Sequence, residues 1–241
     1  MFGRSLKIVD HSQFGEFPLF LKLARPKGNG VVVDAGALGK DVSNSYDLLS
    51  QLGWRGVLIE ANPNLWERIE RDFAGMNSSL VRCAVSDVEG PVVLHLGVVD
   101  GVSSIMRGAA EAWGPLRGNV EVQARRLGAI LDEQKVPRSF DLLSLDIEGM
   151  DVAVLNDLIQ NTSYRPRWIF LEASFDFQTR SLRELDLLPV IQDEYEILGQ
   201  TVPNLLLGHR DVLSVRTRVR ASFNLWLSRL RRARQEGPSL K

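Results

Sequence analysis

VVVDAGALG, which runs from Val31 to Gly39, joins a buried strand to a glycine turn and ends the strand on a carboxylate. Its three consecutive valines are typical of a parallel strand that is covered on both faces. Gly36 and Gly39 let the backbone turn sharply and approach a ligand closely, because neither residue carries a Cβ atom. A helix should follow to Leu52, capped by Ser43 or Asn44. We therefore interpret the stretch as the floor of a cofactor site.

The carboxylate of Asp34 narrows the choice of cofactor. The glycine spacing is that of the dinucleotide fingerprint G-x-G-x-x-G, but Asp34 occupies the position of the first glycine. A carboxylate pointed into the turn would repel a pyrophosphate, which in dinucleotide folds lies there at the helix N-terminus. It suits a cationic ligand without phosphate. S-adenosylmethionine (SAM), with its ammonium and sulfonium groups, fits that description.

A second buried run, Gly56-Val57-Leu58-Ile59-Glu60, also ends on an acid, 21 positions after Gly39. This position predicts that Glu60 accepts hydrogen bonds from both ribose hydroxyls of the cofactor. Either acid alone is equally well explained as the end of a strand at a solvated sheet edge, but the pair in register favours a cofactor site. Asn62, close after Glu60, is included in that site.

Strands and helices are predicted to alternate along the rest of the chain. Further strands are predicted over 80–85, 92–98, 120–123, 140–146 and 168–172, and helices over 65–73, 127–134 and up to about 159. A loop and helix to about 192 precede two strands, 194–199 and 204–215, that close the fold as an antiparallel hairpin. Ser86 and Asp87, at the end of the third strand, are expected to meet the adenine.

Four of the five predicted core strands end on an acid: Asp34, Glu60, Asp146 and Glu172. The carboxyl ends of the strands in an open parallel sheet line one crevice. The sequence therefore predicts an acidic crevice along that edge of the sheet.

The composition is typical of an ordinary soluble globular protein. The 241 residues are 44% hydrophobic and 24% charged, which suits one globular domain with a full core. The formal net charge of −1 divides unevenly, with +7 from Val212 onward and −8 over residues 1–211. An acidic body is unsuited to following a phosphate backbone, so no nucleic-acid partner is expected.

The single cysteine and the apolar segments bear on the compartment. Cys83 alone excludes an intrachain disulfide framework and fits a reducing compartment, where it is expected to be a small buried residue. The start of the chain lacks the apolar core of a signal peptide, and no apolar run is as long as a membrane span. We therefore expect a cytoplasmic protein.

Four sequence blocks in this order resemble the FkbM-type SAM-dependent O-methyltransferases, and the likeness extends from about Ser12 to Leu207. The blocks are SQFGE (residues 12–16), VDAGA (33–37) with Ser43-Asn44, GWRGVLIE (53–60) with Pro63, and DLLSLDIEG (141–149), which is the most specific. The chain departs from the common pattern at Leu38, where a polar residue is frequent. It departs again at Ala173-Ser174, where a histidine or asparagine often follows the acid.

The resemblance implies a Rossmann-like class I methyltransferase fold, an α/β architecture with a mostly parallel, doubly wound sheet and a terminal antiparallel hairpin. It also implies that five residues contact SAM: Asp34, Gly36, Ser43, Asn44 and Glu60. Family members methylate hydroxyl groups, commonly on sugars of glycolipids and surface glycans or on polyketides. The expected partner is accordingly a small-molecule or glycan acceptor with a free hydroxyl.

Methylation of an alcohol requires removal of its proton or coordination of its oxygen to a metal. Asp146 and Glu172, at the ends of adjacent strands, suggest two arrangements. Together they hold a Mg²⁺ ion, for which carboxylate oxygens are suitable ligands. Alternatively, Asp146 binds the ammonium group of SAM while Glu172 or a histidine acts as the base. His11 is the best histidine candidate, because it adjoins the first family block.

The C-terminal segment is predicted to be a basic amphipathic helix, residues 215–234, after a methyltransferase domain over 1–214 with a lead-in helix within about 1–28. Its apolar residues at helical spacing are Val215, Val219, Phe223, Trp226 and Leu230, and its arginines are Arg216, Arg218, Arg220, Arg229, Arg231, Arg232 and Arg234. One hypothesis is an interfacial helix attracted to anionic lipid. The other is a helix packed on its own domain or on a second subunit of a homo-oligomer.

Three classes of function are compared. A SAM-dependent O-methyltransferase is favoured. An NAD-type oxidoreductase is disfavoured by Asp34 in place of the first glycine, and a nucleic-acid methyltransferase or binding protein is disfavoured by the acidic body. The last also lacks an Asn/Asp-Pro-Pro-aromatic motif after the fourth core strand, where Asp146-Ile147-Glu148-Gly149 stands. Titration with SAM, NADH and an oligonucleotide would separate the three classes.

Overall fold

The computed structural model describes residues 9–172, 182, 185–201 and 204–235, with the last ten of these described by their backbone alone. Its helices are α1 (Glu16–Ala24), α2 (Tyr46–Leu52), α3 (Pro63–Asp72), α4 (Arg107–Glu111), α5 (Leu127–Glu133), α6 (Asp151–Asn161), α7 (Pro189–Glu194) and α8 (Val215–Gln235). Its strands are β1 (Val31–Ala35), β2 (Arg55–Glu60), β3 (Ser78–Arg82), β4 (Ala84–Val85), β5 (Gly90–Leu96), β6 (Gly118–Arg125), β7 (Leu142–Leu145), β8 (Trp168–Glu172), β9 (Tyr195–Gln200) and β10 (Asn204–His209).

A seven-stranded sheet forms the centre of the molecule, in the order β3-β2-β1-β7-β8-β10-β9. The five strands from β3 to β8 pair in parallel, whereas β10 runs antiparallel to both β8 and β9. This confirms the predicted α/β class, the mostly parallel sheet and the terminal hairpin. The chain winds outward in opposite directions from β1 and β7, so the topological switch point lies between these strands, where ligands of such sheets bind.

Helices cover both faces of the sheet because consecutive strand residues point to opposite sides. In β1, Val33 packs into a core closed by α5 and α6, and Val32 packs into a second core closed by α1, α2 and α3. Both valines are fully buried. The valine run in the sequence thus reflects a strand that is apolar on both sides, as predicted.

Two predicted strands have different boundaries in the structure. The single strand predicted over 80–85 is two strands, because β3 pairs with β2 in the main sheet whereas β4 pairs with β6 in a second, three-stranded sheet of order β4-β6-β5. The strand predicted over 204–215 ends at His209, since Trp168, the first residue of its antiparallel partner β8, lies opposite Gly208. A short 3₁₀ helix, Arg210–Val212, then leads into α8.

The helix after the glycine turn starts later than predicted. α2 begins at Tyr46 rather than at Ser43, and Val42 in the preceding turn takes a left-handed conformation with φ of 60°. Ser43 still serves the helix start, since its hydroxyl accepts hydrogen bonds from the backbone N–H groups of Ser45 (3.2 Å) and Tyr46 (3.0 Å). The predicted helix start at Ser43 or Asn44 is therefore two or three residues early, and the residue before the helix is Ser45, whose own side chain makes no capping hydrogen bond.

The C-terminal helix α8 packs against β9 and α1. Within the described ranges, no helix is both long and apolar enough to span a bilayer. The departure from the family pattern at Ala173-Ser174 lies outside the described residues.

Candidate active site

The acids predicted at the strand ends come together because the strands are in register. Asp34 lies beside Ser144, and Ser144 beside Phe170. Two residues further along, the same register brings Asp146 next to Glu172, on the side of the sheet that faces α1 and α2. The two carboxyl groups hydrogen-bond to each other. The prediction that Asp146 and Glu172 meet at adjacent strand ends is confirmed.

The Asp146–Glu172 pair holds a proton in the neutral pH range. Burial, together with the charges of Glu172, Asp151 and Asp34, raises the pKa of Asp146 well above its usual range. Burial also raises the pKa of Glu172 to about 8, helped by nearby carboxylates and opposed by the hydrogen bond to Asp146. Two carboxyl groups in contact cannot both ionise without strong repulsion, so they share a proton.

The turn after β7 places further acids next to the pair. Asp151, at the start of α6, accepts hydrogen bonds from the backbone N–H groups of Ile147 (3.1 Å) and Gly149 (3.2 Å) and so fixes the turn. Glu148 takes a left-handed conformation with φ of 54°, which is rare for a residue with a side chain. Burial and the charge of Asp146 raise the pKa of Glu148 to about 7.

A cleft opens beside this turn, between the ends of β1, β2, β4 and β7 and the loop after β5. Its lining residues are Gly36, Leu38, Ile59, Glu60, Ala61, Cys83, Ala84, Val85, Leu94, Asp100, Gly101, Ser103, Ser104, Ile105, Asp146, Ile147 and Glu148. Gly36 has φ of 93°, and a Cβ atom on it would lie 1.8 Å from the backbone oxygen of Asp146. Only glycine therefore permits β1 to turn this close to the end of β7.

Glu60 and its neighbours form the polar wall of the cleft. The Glu60 carboxylate accepts a hydrogen bond from the backbone N–H of Asn62 (2.6 Å), and the Asn62 amide donates to Asp100 and to Ser103 Oγ. Burial raises the pKa of Glu60 to about 8, against the lowering effect of its backbone hydrogen bonds. Burial also acts to raise the pKa of Asp100, but hydrogen bonds from Arg117 and two asparagines outweigh it and lower that pKa.

Asp34 lies beneath the cleft, in a buried polar network at the start of α2. Its carboxylate accepts a hydrogen bond from Ser45 Oγ at 2.5 Å. Burial raises the pKa of Asp34, although hydrogen bonds with Ser45 and Ser144 lower it. Asn44 donates to Ser144 Oγ at 3.2 Å, so the network ties α2 to the ends of β1 and β7. That Asp34, Ser43 and Asn44 contact SAM stays a prediction.

His11 lies on the α2 side of the molecule, apart from the residues that line the cleft. Its Nδ1 atom is 2.7 Å from Asp47 Oδ1, and its backbone N–H donates to the same carboxylate. The imidazole also makes an edge contact with the ring of Tyr46, at 5.0 Å between centroids. These contacts hold the segment before α1 against α2. A catalytic role for His11 remains a prediction.

Three of the predicted cofactor residues, Gly36, Glu60 and Asp146, line the cleft. Others are placed nearby with different neighbours: Gly39 faces Arg68 and Asp72 of α3, the backbone N–H of Ser86 donates to Arg125 O, and Asp87 accepts from Ser86 Oγ. Sequence reasoning missed Asp100, Ser103 and Glu148. The Gly/Ser-rich composition of the loop over 100–104 was the available signal for the first two.

The arrangement is one sheet with a switch-point cleft, a buried acid at the end of β2 on its wall, and a carboxyl pair further along. A model of the methyltransferase FkbM domain matches residues 33–199 of the chain. The chain belongs to the FkbM methyltransferase family. Methyltransferases of this family use SAM in general, which agrees with the predicted cofactor and disfavours the oxidoreductase hypothesis.

A comparison with solved structures gives a further similarity. Among solved structures, the crystal structure of precorrin-6y C5,15-methyltransferase from Geobacter metallireducens GS-15 is similar to this FkbM chain, at 15% sequence identity and a TM-score of 0.43. The alignment covers 86% of this chain and 92% of that one. No curated protein matches the chain.

The acidic site makes the stability of the ligand-free protein depend on pH. The pKa is raised to about 8 for Glu60 and Glu172, to about 7 for Glu148 and to about 6 for Asp151, chiefly by burial. Between about pH 4.5 and 8 the folded chain therefore binds more protons than the unfolded chain, so stability falls as pH rises. We expect Tm, measured by calorimetry without ligand, to decrease steadily from about pH 6 to about pH 8.5. A Tm that rises over this range would contradict the assigned shifts.

Proposed function

We propose that the protein is a SAM-dependent O-methyltransferase that acts on a hydroxyl of a sugar, a glycolipid or a polyketide-type small molecule. The observation that carries the proposal is the hydrogen-bonded pair Asp146–Glu172 at the switch-point edge of the sheet. An alcohol requires a base to accept its proton as the methyl group is transferred, and a buried carboxylate with a pKa near the working pH suits that task.

The residues of the cleft fit SAM by their charge. Glu60, Asp146 and Glu148 carry acidic groups on its wall, with Asp100 held ionised beside them. This set attracts an ammonium and a sulfonium group and would repel a pyrophosphate. In the proposed assignment Glu60 accepts from the ribose hydroxyls and Asp146 binds the ammonium group. SAM supplies the electrophilic methyl group.

Glu172 is the proposed base. In the ligand-free pair it shares a proton with Asp146, and the nearby acids Asp151 and Glu148 increase its proton affinity. Cationic groups bound beside Asp146 lower the pKa of both carboxyls, because an opposite charge favours the ionised form. The proton then leaves the pair, and Glu172 becomes an ionised carboxylate able to receive the proton of the acceptor hydroxyl.

Two buried amide oxygens near the pair support a hydroxylated acceptor. Asn204 lies opposite Glu172 across the β8–β10 pairing, and Asn44 donates to Ser144, two residues before Asp146. Among the described residues, Asn44 Oδ1 and Asn204 Oδ1 are buried without a hydrogen-bond partner. A buried acceptor atom without a donor is costly, and hydroxyl groups of a bound ligand would satisfy it.

A Mg²⁺ ion held by Asp146 and Glu172 is the alternative way to activate the hydroxyl. In residues 9–172, 182, 185–201 and 204–235, no three or more histidine, cysteine, aspartate or glutamate side chains are arranged to hold a metal ion. With Glu172 as the base, we expect full methyl transfer in the presence of EDTA, measured as formation of S-adenosylhomocysteine. Loss of activity in EDTA that Mg²⁺ restores would assign the activation to a metal instead.

The reaction class is tested directly with a panel of acceptors. Purified protein and methyl-labelled SAM are incubated with free sugars, sugar-bearing lipids, hydroxylated polyketides, amines and an oligonucleotide. The proposal requires label in a hydroxylated small molecule, with the new methyl group on oxygen by NMR. Transfer confined to amines, carbon atoms or the oligonucleotide would overturn it.

A further inference from the structure

Asn204 extends the row of polar side chains at the carboxyl ends of the core strands. It is the first residue of β10 and lies directly opposite Glu172 of β8, whose other neighbour across the sheet is Asp146. Facing residues of antiparallel strands point to the same side of the sheet, with Cβ atoms about 5 Å apart. Asn204 is 1% exposed. Its amide therefore belongs to the immediate surroundings of the Glu172 carboxyl group.

Glu16 of α1 fixes the orientation of the Asn204 amide. The Glu16 side chain is fully buried, and it accepts hydrogen bonds from Phe14 N–H (2.8 Å), from the Thr201 hydroxyl and from Asn204 Nδ2 (3.4 Å). A carboxylate accepts hydrogen bonds and donates none, so the amide nitrogen of Asn204 is the atom that faces it. The amide oxygen, Oδ1, consequently points away from Glu16.

The amide oxygen of Asn204 receives no hydrogen bond from the residues that the structure describes, although it is buried. Reversing the amide would set this oxygen against the Glu16 carboxylate, which has no hydrogen to offer it. A buried acceptor atom without a donor is costly, and native proteins satisfy most such atoms. Asn204 therefore holds an acceptor atom ready for the donor of an incoming molecule.

The position of Asn204 assigns this donor to the acceptor of the methyl group rather than to SAM. The cleft proposed for SAM lies at the ends of β1, β2, β4 and β7, and Asp146 is among its lining residues. Glu172 on β8 comes next along the sheet, and Asn204 on β10 follows it, one strand further from the cleft. The proposed base thus lies between the cofactor and Asn204. A molecule that reaches Asn204 also passes Glu172.

We propose that Asn204 is a specificity residue that accepts a hydrogen bond from a second hydroxyl of the acceptor, on the carbon next to the one that is methylated. Glu16 acts through it as a positioning residue. Two neighbouring hydroxyls suit the site because the first meets Glu172 and the second meets Asn204, at the facing position of the next strand. The inference rests on the proposed function, with Glu172 as the base. It narrows the acceptors to vicinal diols, an arrangement that sugar rings contain.

The test compares two acceptors that differ in one hydroxyl group. The vicinal diol of cyclohexane, in its cis and trans forms, carries the pair, and cyclohexanol has the same ring without the second hydroxyl. Full-length protein is incubated with saturating SAM, and kcat/KM is measured from formation of S-adenosylhomocysteine. Asn204→Ala removes the amide, and Asn161→Ala, at an exposed position where α6 ends, is the matched control. Circular dichroism and Tm show whether each variant is folded.

The parent should favour the diol by about tenfold or more in kcat/KM, because a site built to bind a hydroxyl rejects the analogue that lacks it. Asn204→Ala should lose this preference through a lower kcat/KM with the diol alone, and Asn161→Ala should keep it. Glu16→Gln removes one of the two oxygens that hold the amide and should reduce the preference. It keeps the test decisive if Asn204→Ala does not fold.

Equal kcat/KM for the diol and cyclohexanol in the parent would overturn the inference and leave the proposed O-methylation intact. Transfer to other hydroxylated acceptors but not to the diol would do the same. An undiminished preference in a folded Asn204 or Glu16 variant would also overturn it, as would an equal loss with both acceptors, since a structural role affects both alike. Absence of methyl transfer to any hydroxyl would overturn the inference and the proposed function together.

Discussion

Replacing Glu172 with glutamine is expected to lower kcat for methyl transfer by about 10²–10⁴-fold, the usual contribution of a positioned general base. Glutamine keeps the size of the side chain and its ability to hydrogen-bond to Asp146, but it cannot accept the acceptor's proton. The affinity for SAM, measured by calorimetry, should change little, because Glu60 and Asp146 are the residues proposed to hold the cofactor. A loss confined to KM for SAM would place Glu172 in the cofactor site instead.

The pH dependence separates a base from a structural residue. In the parent enzyme, kcat/KM should rise with pH toward about 8, the pKa of Glu172 in the ligand-free protein. The Glu172→Gln variant should lose that rise. It should also be more thermostable than the parent at alkaline pH, because it no longer ionises within the buried acidic cluster. Glu89→Gln, at an exposed position after β4, is the matched control and should leave the pH dependence of kcat/KM and the thermostability unchanged.

Replacing Glu60 with alanine is expected to weaken SAM binding by about ten- to a hundredfold, the effect of leaving buried ribose hydroxyls without their acceptor. The carboxylate is buried at the end of β2 and lines the cleft, where its hydrogen bond from Asn62 N–H orients it. Glu60→Gln retains one acceptor oxygen and should lie between alanine and the parent. Unchanged affinity in Glu60→Ala would show that the ribose is bound elsewhere.

The control for Glu60 is an acid on the same segment that faces solvent. Glu67 is exposed on α3, seven residues after Glu60, and Glu67→Ala should bind SAM as the parent does. Because Glu60 also receives the N–H of Asn62 before α3, Tm of each variant must be compared in the absence of ligand. If the affinity for SAM falls only in those variants whose Tm also falls, whether or not they keep the Glu60 carboxylate, Glu60 has a structural role.

The parts of the fold that the sequence predicts are those in which each residue's own chemistry decides the structure. The valine run of β1 predicts a buried strand, because such strands need apolar residues on both faces. The acids that end β2 and β8 are recognised in the same way, since each follows an apolar run. The division of 80–85 between two sheets was not predictable in this way, since it depends on the pairing of Ala84 and Val85 in β4 with Ala124 and Arg125 in β6, about forty residues later. Local patterns do not contain that long-range contact.

The same reasoning applies to the site. Asp146 and Glu172 were predicted as neighbours because parallel strand ends share one edge, and register alone brings them together. Asp34 was predicted to contact SAM, which stays a prediction, and its carboxylate accepts a hydrogen bond from the Ser45 hydroxyl. Asp100 was missed because its contribution depends on a loop that folds back over β2, where Asn62 and Arg117 hold it.

The proposed role of Glu172 as the base has a consequence for the charge balance of the whole turnover. O-methyl transfer from a sulfonium removes one positive charge from the site and frees one proton from the acceptor. If Glu172 keeps that proton, the total charge inside the buried site is the same before and after the chemical step. Because the positive sulfonium and the negative Glu172 carboxylate are neutralised together, no counter-ion has to enter or leave while the methyl group moves. Glu172 then loses that proton during product exchange, before the next cycle.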